Sequence, residues 1–145
     1  MNFDFGIASG TLERGVVHTI EIGEEQLAQS LFERFWDLTD EVLALGDTTM
    51  FLRGRSVRHN IYKVLRLRTN RADAKQKTDE VISMFGLNPK TKVKKLSEGE
   101  LLSLALARSY FRTPELVVIK KFGGYLERLD VDTKKWSESF VVVIT

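Results

Sequence analysis

Residues 96–114 read LSEGELLSLALARSYFRTP, and this stretch is the most informative part of the chain. Ser97 and Glu100 have the spacing of a capping box, in which each side chain accepts a hydrogen bond from the other residue's backbone amide. Pro114 predicts a sharp end to the helix that begins there, because proline lacks an amide hydrogen. The apolar run Leu116–Ile119 follows it. The stretch therefore predicts a capped helix leading into a buried strand.

The same stretch resembles the signature segment of ABC-type ATPases, whose usual form is LSGGQ, then a helix containing ALAR, then a proline and an apolar strand. Leu96, Ser97 and Gly99 stand at signature positions, whereas Glu98 and Glu100 stand where the family has glycine and glutamine. The capping box alone is compatible with any helix. What supports the family resemblance is that the signature-like segment, the ALAR helix, the proline and the apolar strand follow one another in the family's order and at its spacing.

The resemblance implies that the family's catalytic positions are substituted in this chain. Lys120 and Lys121 stand at the acidic Walker B pair, which in the family binds magnesium and activates water. A lysine only donates hydrogen bonds, so it can neither bind magnesium nor act as a base at its ordinary pKa. Asp47 takes the place of the Q-loop glutamine. Glu127, or Asp130 with the gap placed elsewhere, takes the place of the Leu-Asp loop aspartate.

The phosphate loop that the family places after its first core strand has no counterpart here. The segment Ile20–Glu24 resembles the strand and Gly-Glu turn that normally precede the loop, yet G-x-x-x-x-G-K-[ST] does not occur. The 23 residues between Gly23 and Asp47 contain one glycine and no lysine, whereas a phosphate cradle needs both. We therefore predict no catalytic residue and no bound cofactor.

A metal site is not predicted either. The chain has no cysteine, and its two histidines are far apart, His18 in a strand pattern and His59 in a helical one. No run of eighteen apolar residues and no secretory leader occur. We expect a cytoplasmic protein, either free or peripheral at the inner face of a membrane.

The net charge of +2 hides a strong asymmetry. Residues 1–47 carry ten acidic and two basic side chains, while residues 48–145 carry twenty basic and ten acidic ones. The densest basic run, between residues 53 and 71, contains no acid. Such a run can bind nucleic acid, lipid headgroups or an acidic protein face. Alternatively, the acidic and basic halves neutralise one another within the fold or pair across a dimer. Because no nucleic-acid motif accompanies the charge, neutralisation is favoured and nucleic acid is disfavoured. The candidate interaction residues are Arg53, Arg55, Arg58, Arg66 and Arg68.

The element pattern predicts a single α/β domain over residues 1–145, with a small mixed sheet and a three-helix subdomain at about residues 56–112. Strands are expected at Asn2–Ile7, Gly15–Ile22, Glu41–Leu45, Leu116–Ile119 and Phe140–Ile144. Helices are expected at Glu25–Leu38, from Ser56 to about Arg68, at Arg71–Phe85 and at Ser97–Arg112.

In the family, the helical subdomain contacts the membrane-embedded partner and the sheet binds nucleotide. The resemblance therefore implies a reduced, catalytically inactive cassette-like protein that binds an ABC permease or an intact cassette, or pairs with itself as a homodimer. One alternative is an ABC transporter ATP-binding subunit that binds or hydrolyses ATP in a composite site with a partner, to which Ser97 would contribute. Another is nucleic-acid binding through the face at residues 53–71.

Overall fold

The computed structural model describes residues 1–145 and contains four α-helices and six β-strands. The strands are β1 (Asn2–Asp4), β2 (Ser9–Thr11), β3 (Val17–Ile20), β4 (Val42–Leu45), β5 (Leu116–Lys120) and β6 (Phe140–Ile144). The helices are α1 (Glu25–Trp36), α2 (Val57–Arg66), α3 (Arg71–Met84) and α4 (Glu98–Arg108).

A four-stranded parallel sheet forms the core of the α/β architecture, with the order β3-β6-β5-β4. Val118 of β5 stands opposite Ala44 of β4 on one side and Val142 of β6 on the other. Every residue of β5 is buried. The continuous apolar sequences of β5 and β6 suit strands that are covered on both faces, as is usual in parallel sheets.

The prediction of one mixed sheet was wrong, because the antiparallel strands form a sheet of their own. Strands β1 and β2 form a two-stranded hairpin, and β2 was not predicted. Gly6 turns the chain between them with a φ of 83°, a conformation that glycine adopts without steric cost. The hairpin reaches α1 through the Phe3 ring, whose centroid lies 5.0 Å from that of Phe35. Ring packing, and not a shared backbone ladder, joins the hairpin to its neighbours.

The chain divides into two compact units. The first comprises residues 1–47 and 113–145 and holds both sheets and α1. Helix α1 packs on β5, and it buries a stripe at helical spacing that faces the sheet. That stripe consists of Ala28, Leu31, Phe32 and Phe35.

The second unit comprises residues 48–112 and is a three-helix assembly of α2, α3 and α4. Each helix begins with a capping side chain, at Ser56, Asn70 and Ser97. These caps accept hydrogen bonds from backbone amides that the helix itself leaves unpaired. The predicted helices are present, although α2 ends at Arg66 and α4 at Arg108. That the two units form one cassette-like domain stays a prediction.

Candidate functional site

The carboxyl ends of parallel strands are where α/β sheets usually bind ligands. In the first unit, Glu24 follows β3, Asp47 follows β4, and Lys120 and Lys121 stand at the end of β5. This edge therefore carries the predicted Q-loop and Walker B positions together, and we take it as the candidate site.

The N-terminus of α1 is already occupied by a carboxylate of the chain itself. Glu24 is the N-cap residue, and its Oε1 accepts from the Gln26 amide at 3.0 Å and its Oε2 from the Leu27 amide at 2.8 Å. Free amides at a helix N-terminus are the groups that bind phosphate. Here two of those amides are used, and the negative charge of Glu24 would repel an incoming phosphate.

Lys120 is buried, with 6% of its surface exposed, and its ammonium group donates to Oε1 of Gln29. The amide nitrogen of Gln29 donates in turn to Asp47 Oδ2 at 2.9 Å and to Glu33 Oε1 at 3.1 Å. Ammonium only donates and carboxylate only accepts, so the Gln29 amide has a single orientation that satisfies all three neighbours. A cation, an amide and a carboxylate thus form one chain, which we call the Lys120 network (Lys120, Gln29 and Asp47).

Glycines allow the backbone around this network to pack closely. Gly46 has a φ of 110°, and a Cβ built on it would lie 2.1 Å from the Lys120 carbonyl oxygen. A Cβ on Gly124 would lie 2.0 Å from the Gly46 carbonyl oxygen. Any side chain at either position would force the end of β5 away from the loop after β4. Glycine at positions 46 and 124 is thus a packing requirement of this edge.

The remaining predicted positions of the first unit are more open. Lys121 is half-buried, and its ammonium lies 3.5 Å from Oδ1 of Asp130. Glu127 is exposed, and its backbone amide donates to the Gly124 carbonyl at 3.3 Å. Of the two carboxylates considered for the predicted Leu-Asp position, Asp130 is therefore the one that pairs with Lys121.

The signature-like residues lie in the second unit and form the start of α4. The Glu100 amide donates to Ser97 Oγ at 3.3 Å, and the Ser97 amide donates to Glu100 Oε1 at 3.1 Å, which completes the capping box. Gly99 is exposed, and no atom lies within 4 Å of where its Cβ would be. Leu96 is half-buried beside them. The hydroxyl of Ser97 is thus engaged with its own helix.

The loop before α2 is held by a residue whose structural role the sequence did not reveal. The buried Asn60 accepts from the Leu52 amide at 2.7 Å and donates to the carbonyls of Leu52 at 3.0 Å and Ser56 at 2.9 Å. Arg108 donates to the Met50 carbonyl at 2.9 Å. These bonds fix the loop at residues 50–56 against α2 and α4. We call Asn60 and its partners the Asn60 clamp.

The basic run is only partly neutralised. Arg58 forms an ion pair with Asp79 of α3, and Arg66 donates to the Thr69 carbonyl at 2.9 Å. Arg53, Arg55 and Arg68 are exposed. Partial desolvation, with the charges of Arg55 and Lys63, lowers the pKa of His59 below its ordinary value. The side chain of His59 is therefore neutral over a wider pH range than a free histidine.

Gln29, the central residue of the Lys120 network, was not found from the sequence. Its position at the edge of the apolar stripe of α1, next to Ala28, was the available signal. No group of three or more histidine and acidic side chains is arranged to hold a metal ion. No helix has the length and apolar character needed to cross a membrane.

Comparison with known proteins gives one partial similarity. The chain is 36% identical over 66 residues to the ATP-binding protein Uup of Haemophilus influenzae. That stretch is 46% of this chain and only 10% of the relative, so the chain spans a small part of it. No protein-family model matches. The similarity supports a relationship to ABC-type ATP-binding proteins, in agreement with an α/β fold whose parallel sheet is compatible with a reduced nucleotide-binding fold.

Proposed function

We propose that this protein is a relative of ABC-type ATPases that does not hydrolyse ATP and acts by binding a protein partner of an ABC-type system. The observation that carries the proposal is the Lys120 network. It fills the carboxyl ends of β4 and β5 with a buried cation already bonded to the chain. A magnesium ion at this edge would meet the ammonium group of Lys120 where it needs oxygen ligands.

The carboxylate of Glu24 supports the same proposal. It binds two of the amides that a nucleotide phosphate would need, at the turn where a phosphate loop would begin. Only Glu21–Glu24 separate β3 from α1, which is too short a segment for a phosphate cradle. Neither feature depends on a partner protein.

Titration calorimetry with Mg-ATP tests this part of the proposal. We expect no saturable heat, and no thermal stabilisation by a large excess of ATP, because a ligand at 100 times its Kd would add about 2.7 kcal/mol to the free energy of unfolding. The variant Glu24→Ser keeps a capping hydroxyl and removes the carboxylate, and we expect it to remain silent because the cradle is still missing. A wild-type Kd below about 100 µM, near 5.5 kcal/mol of binding energy, would contradict the proposal.

The interaction part rests on the exposed arginines of the second unit. Arg53 and Arg55 lie in the loop held by the Asn60 clamp, so their backbone is fixed while their side chains reach solvent. A rigid, basic loop can bind an acidic protein face without a large ordering cost. The partner is an ABC permease, an intact cassette or a second copy of this chain.

Charge reversal in this loop tests the interaction. We expect Arg53→Glu with Arg55→Glu to weaken partner capture from cells and to reduce its salt dependence, since rim charges mainly steer association. Arg58 is left unchanged because reversing it would place a glutamate beside Asp79, with which Arg58 forms an ion pair. The matched control, Arg128→Glu with Lys134→Glu, makes the same charge change at exposed positions of the first unit. Equal capture by both variants would remove the loop from the interface.

The composite-site alternative predicts a different pattern. Ser97→Ala would lower the ATPase activity of a mixture with an intact cassette, while the loop variants would bind normally. Ser56→Ala is the control, because it also removes a serine N-cap, at α2 and outside the signature segment. A loss specific to Ser97→Ala would favour the alternative over our proposal.

A further inference from the structure

A cavity of about 420 Å³ in the second unit is lined by three cationic side chains together with a tyrosine and an alanine. Its walls are Arg58 and Tyr62 of α2 and Arg71, Ala72 and Lys75 of α3. Its volume falls within the range of small-molecule sites. The feature belongs to the three-helix unit, and its ligand is independent of the function proposed above.

The charges in this cavity are not balanced by the chain. Arg58 is neutralised by Asp79. Arg71 and Lys75 form no ion pair and no side-chain hydrogen bond. They stand four residues apart on α3, where like charges are neighbours and repel. Two acids of α3 stand close to these cations in sequence. Asp73 is bonded to Thr69 at 2.7 Å and to Lys77 at 3.1 Å, and Asp79, four residues after Lys75, pairs with Arg58.

The position of the two cations in α3 adds to the imbalance. Arg71 is the first residue of the helix and Lys75 lies in its second turn. Cations near a helix N-terminus are disfavoured by the helix dipole. An arrangement that places two unpaired cations around a cavity is stabilised when an anion enters it.

Two unpaired cations favour an anion that can neutralise both of them. A carboxylate would neutralise one of the two cations. A phosphate monoester carries a charge of about −1.5 to −2 near pH 7 and has three acceptor oxygens, which suits the planar donors of Arg71 and the ammonium of Lys75. The ring of Tyr62 and the methyl group of Ala72 leave an apolar wall for the organic part of the ester.

We propose that the cavity between α2 and α3 binds the phosphate group of a phosphomonoester, through Arg71 and Lys75 with Arg58 and Tyr62 at its sides. The phosphate can belong to a small soluble molecule or to a lipid headgroup, since both present the same dianion.

Calorimetry with glycerol 3-phosphate on the whole chain tests the site. We expect saturable binding to the wild type and a loss of affinity of about tenfold or more in Arg71→Gln with Lys75→Gln. The matched control is Arg53→Gln with Lys63→Gln. It removes the same charge from exposed positions of the basic run that do not line the cavity. We expect its affinity to stay within about twofold of the wild type. Circular dichroism of both variants establishes that each is folded.

Two further arms identify the source of the phosphate. Phosphatidylcholine vesicles with and without phosphatidic acid test the lipid headgroup, and binding that needs phosphatidic acid, Arg71 and Lys75 supports it. The proposal is overturned when neither glycerol 3-phosphate nor phosphatidic acid binds, or when both double variants lose affinity equally. It is also overturned when a glutamate oligopeptide binds and the phosphomonoesters do not.

Discussion

The two units each contain a buried polar cluster, and the two clusters are built from different chemistry. In the first unit, the Lys120 network joins side chain to side chain and includes a buried cation and a buried carboxylate. In the second, the Asn60 clamp joins one neutral side chain to backbone groups of the preceding loop. The first occupies the carboxyl ends of β4 and β5, whereas the second fixes the loop that carries exposed arginines.

The difference teaches where each cluster is vulnerable. Breaking a buried charged cluster leaves an uncompensated charge, and this costs more than losing neutral hydrogen bonds. The Lys120 network should therefore dominate the stability of its unit, while the Asn60 clamp should control the order of one loop.

The largest effect is expected for Lys120→Met. The substitution leaves the Gln29 carbonyl without its donor and removes the positive charge linked to Asp47, so we expect the free energy of unfolding to fall by about 3 kcal/mol. Urea denaturation measures it through a lower midpoint at an unchanged slope. Lys121→Met is the control, because that lysine is half-buried and its ion pair is exposed. We expect that variant to lose no more than about 0.5 kcal/mol. Equal losses would show that burial of Lys120 carries no special stabilisation.

A smaller and more local effect is expected for Asn60→Ala. Three hydrogen bonds are lost at a residue that is 3% exposed, and we expect a loss of about 2 kcal/mol. Hydrogen exchange of the Leu52 backbone amide should accelerate, because this amide loses the Asn60 oxygen that accepts its hydrogen bond. The control Asn88→Ala removes one exposed hydrogen bond, to the Lys90 amide, and should change stability by under about 0.5 kcal/mol. Unchanged exchange at Leu52 would separate Asn60 from the loop.

The smallest effect concerns Asp73. The hydrogen bond from the Thr69 hydroxyl is the first cause that lowers the pKa of this carboxyl group, and Lys77 lowers it as well. A depressed carboxyl pKa stabilises the fold above the unfolded pKa, and the stabilisation is lost as pH falls through the folded value. Thr69→Val should raise the pKa of Asp73, as measured by NMR titration of that carboxyl group, because the Thr69 hydrogen bond is the first cause of the depression. The variant should also lose less stability on acidification through the unfolded pKa, because the folded pKa of Asp73 then lies closer to the unfolded one. An unchanged pKa of Asp73 in Thr69→Val would contradict the assigned cause.

Much of the secondary structure could be predicted from the sequence. Strand β6 has its predicted bounds, and the helix starts at Ser56 and Ser97 are marked by capping serines whose hydrogen bonds are local. The hairpin strand Ser9–Thr11 was missed because three small polar residues give no alternating apolar pattern. The prediction of one mixed sheet was wrong because strand direction depends on pairing between segments that are distant in sequence. No local sequence pattern contains that information.

In the candidate site, individual residues could be found from the sequence, whereas the contacts between them could not. Asp47 and Lys120 were singled out by the family resemblance, but their connection through Gln29 depends on α1 lying across β5. The Arg58–Asp79 ion pair and the cavity with Arg71 depend on α2 packing against α3. In each case, the residues that contact one another are far apart in the sequence.

The capped helices, the apolar strands and the charge asymmetry could be read from the sequence alone. Each of these follows from residue identity or from spacing within one or two turns of chain. Only the tertiary structure decided that Lys120 is buried and bonded, that Gly46 must lack a side chain, and that Asn60 holds a loop. The physical reason is that burial and hydrogen-bond partnership are set by segments that meet after folding.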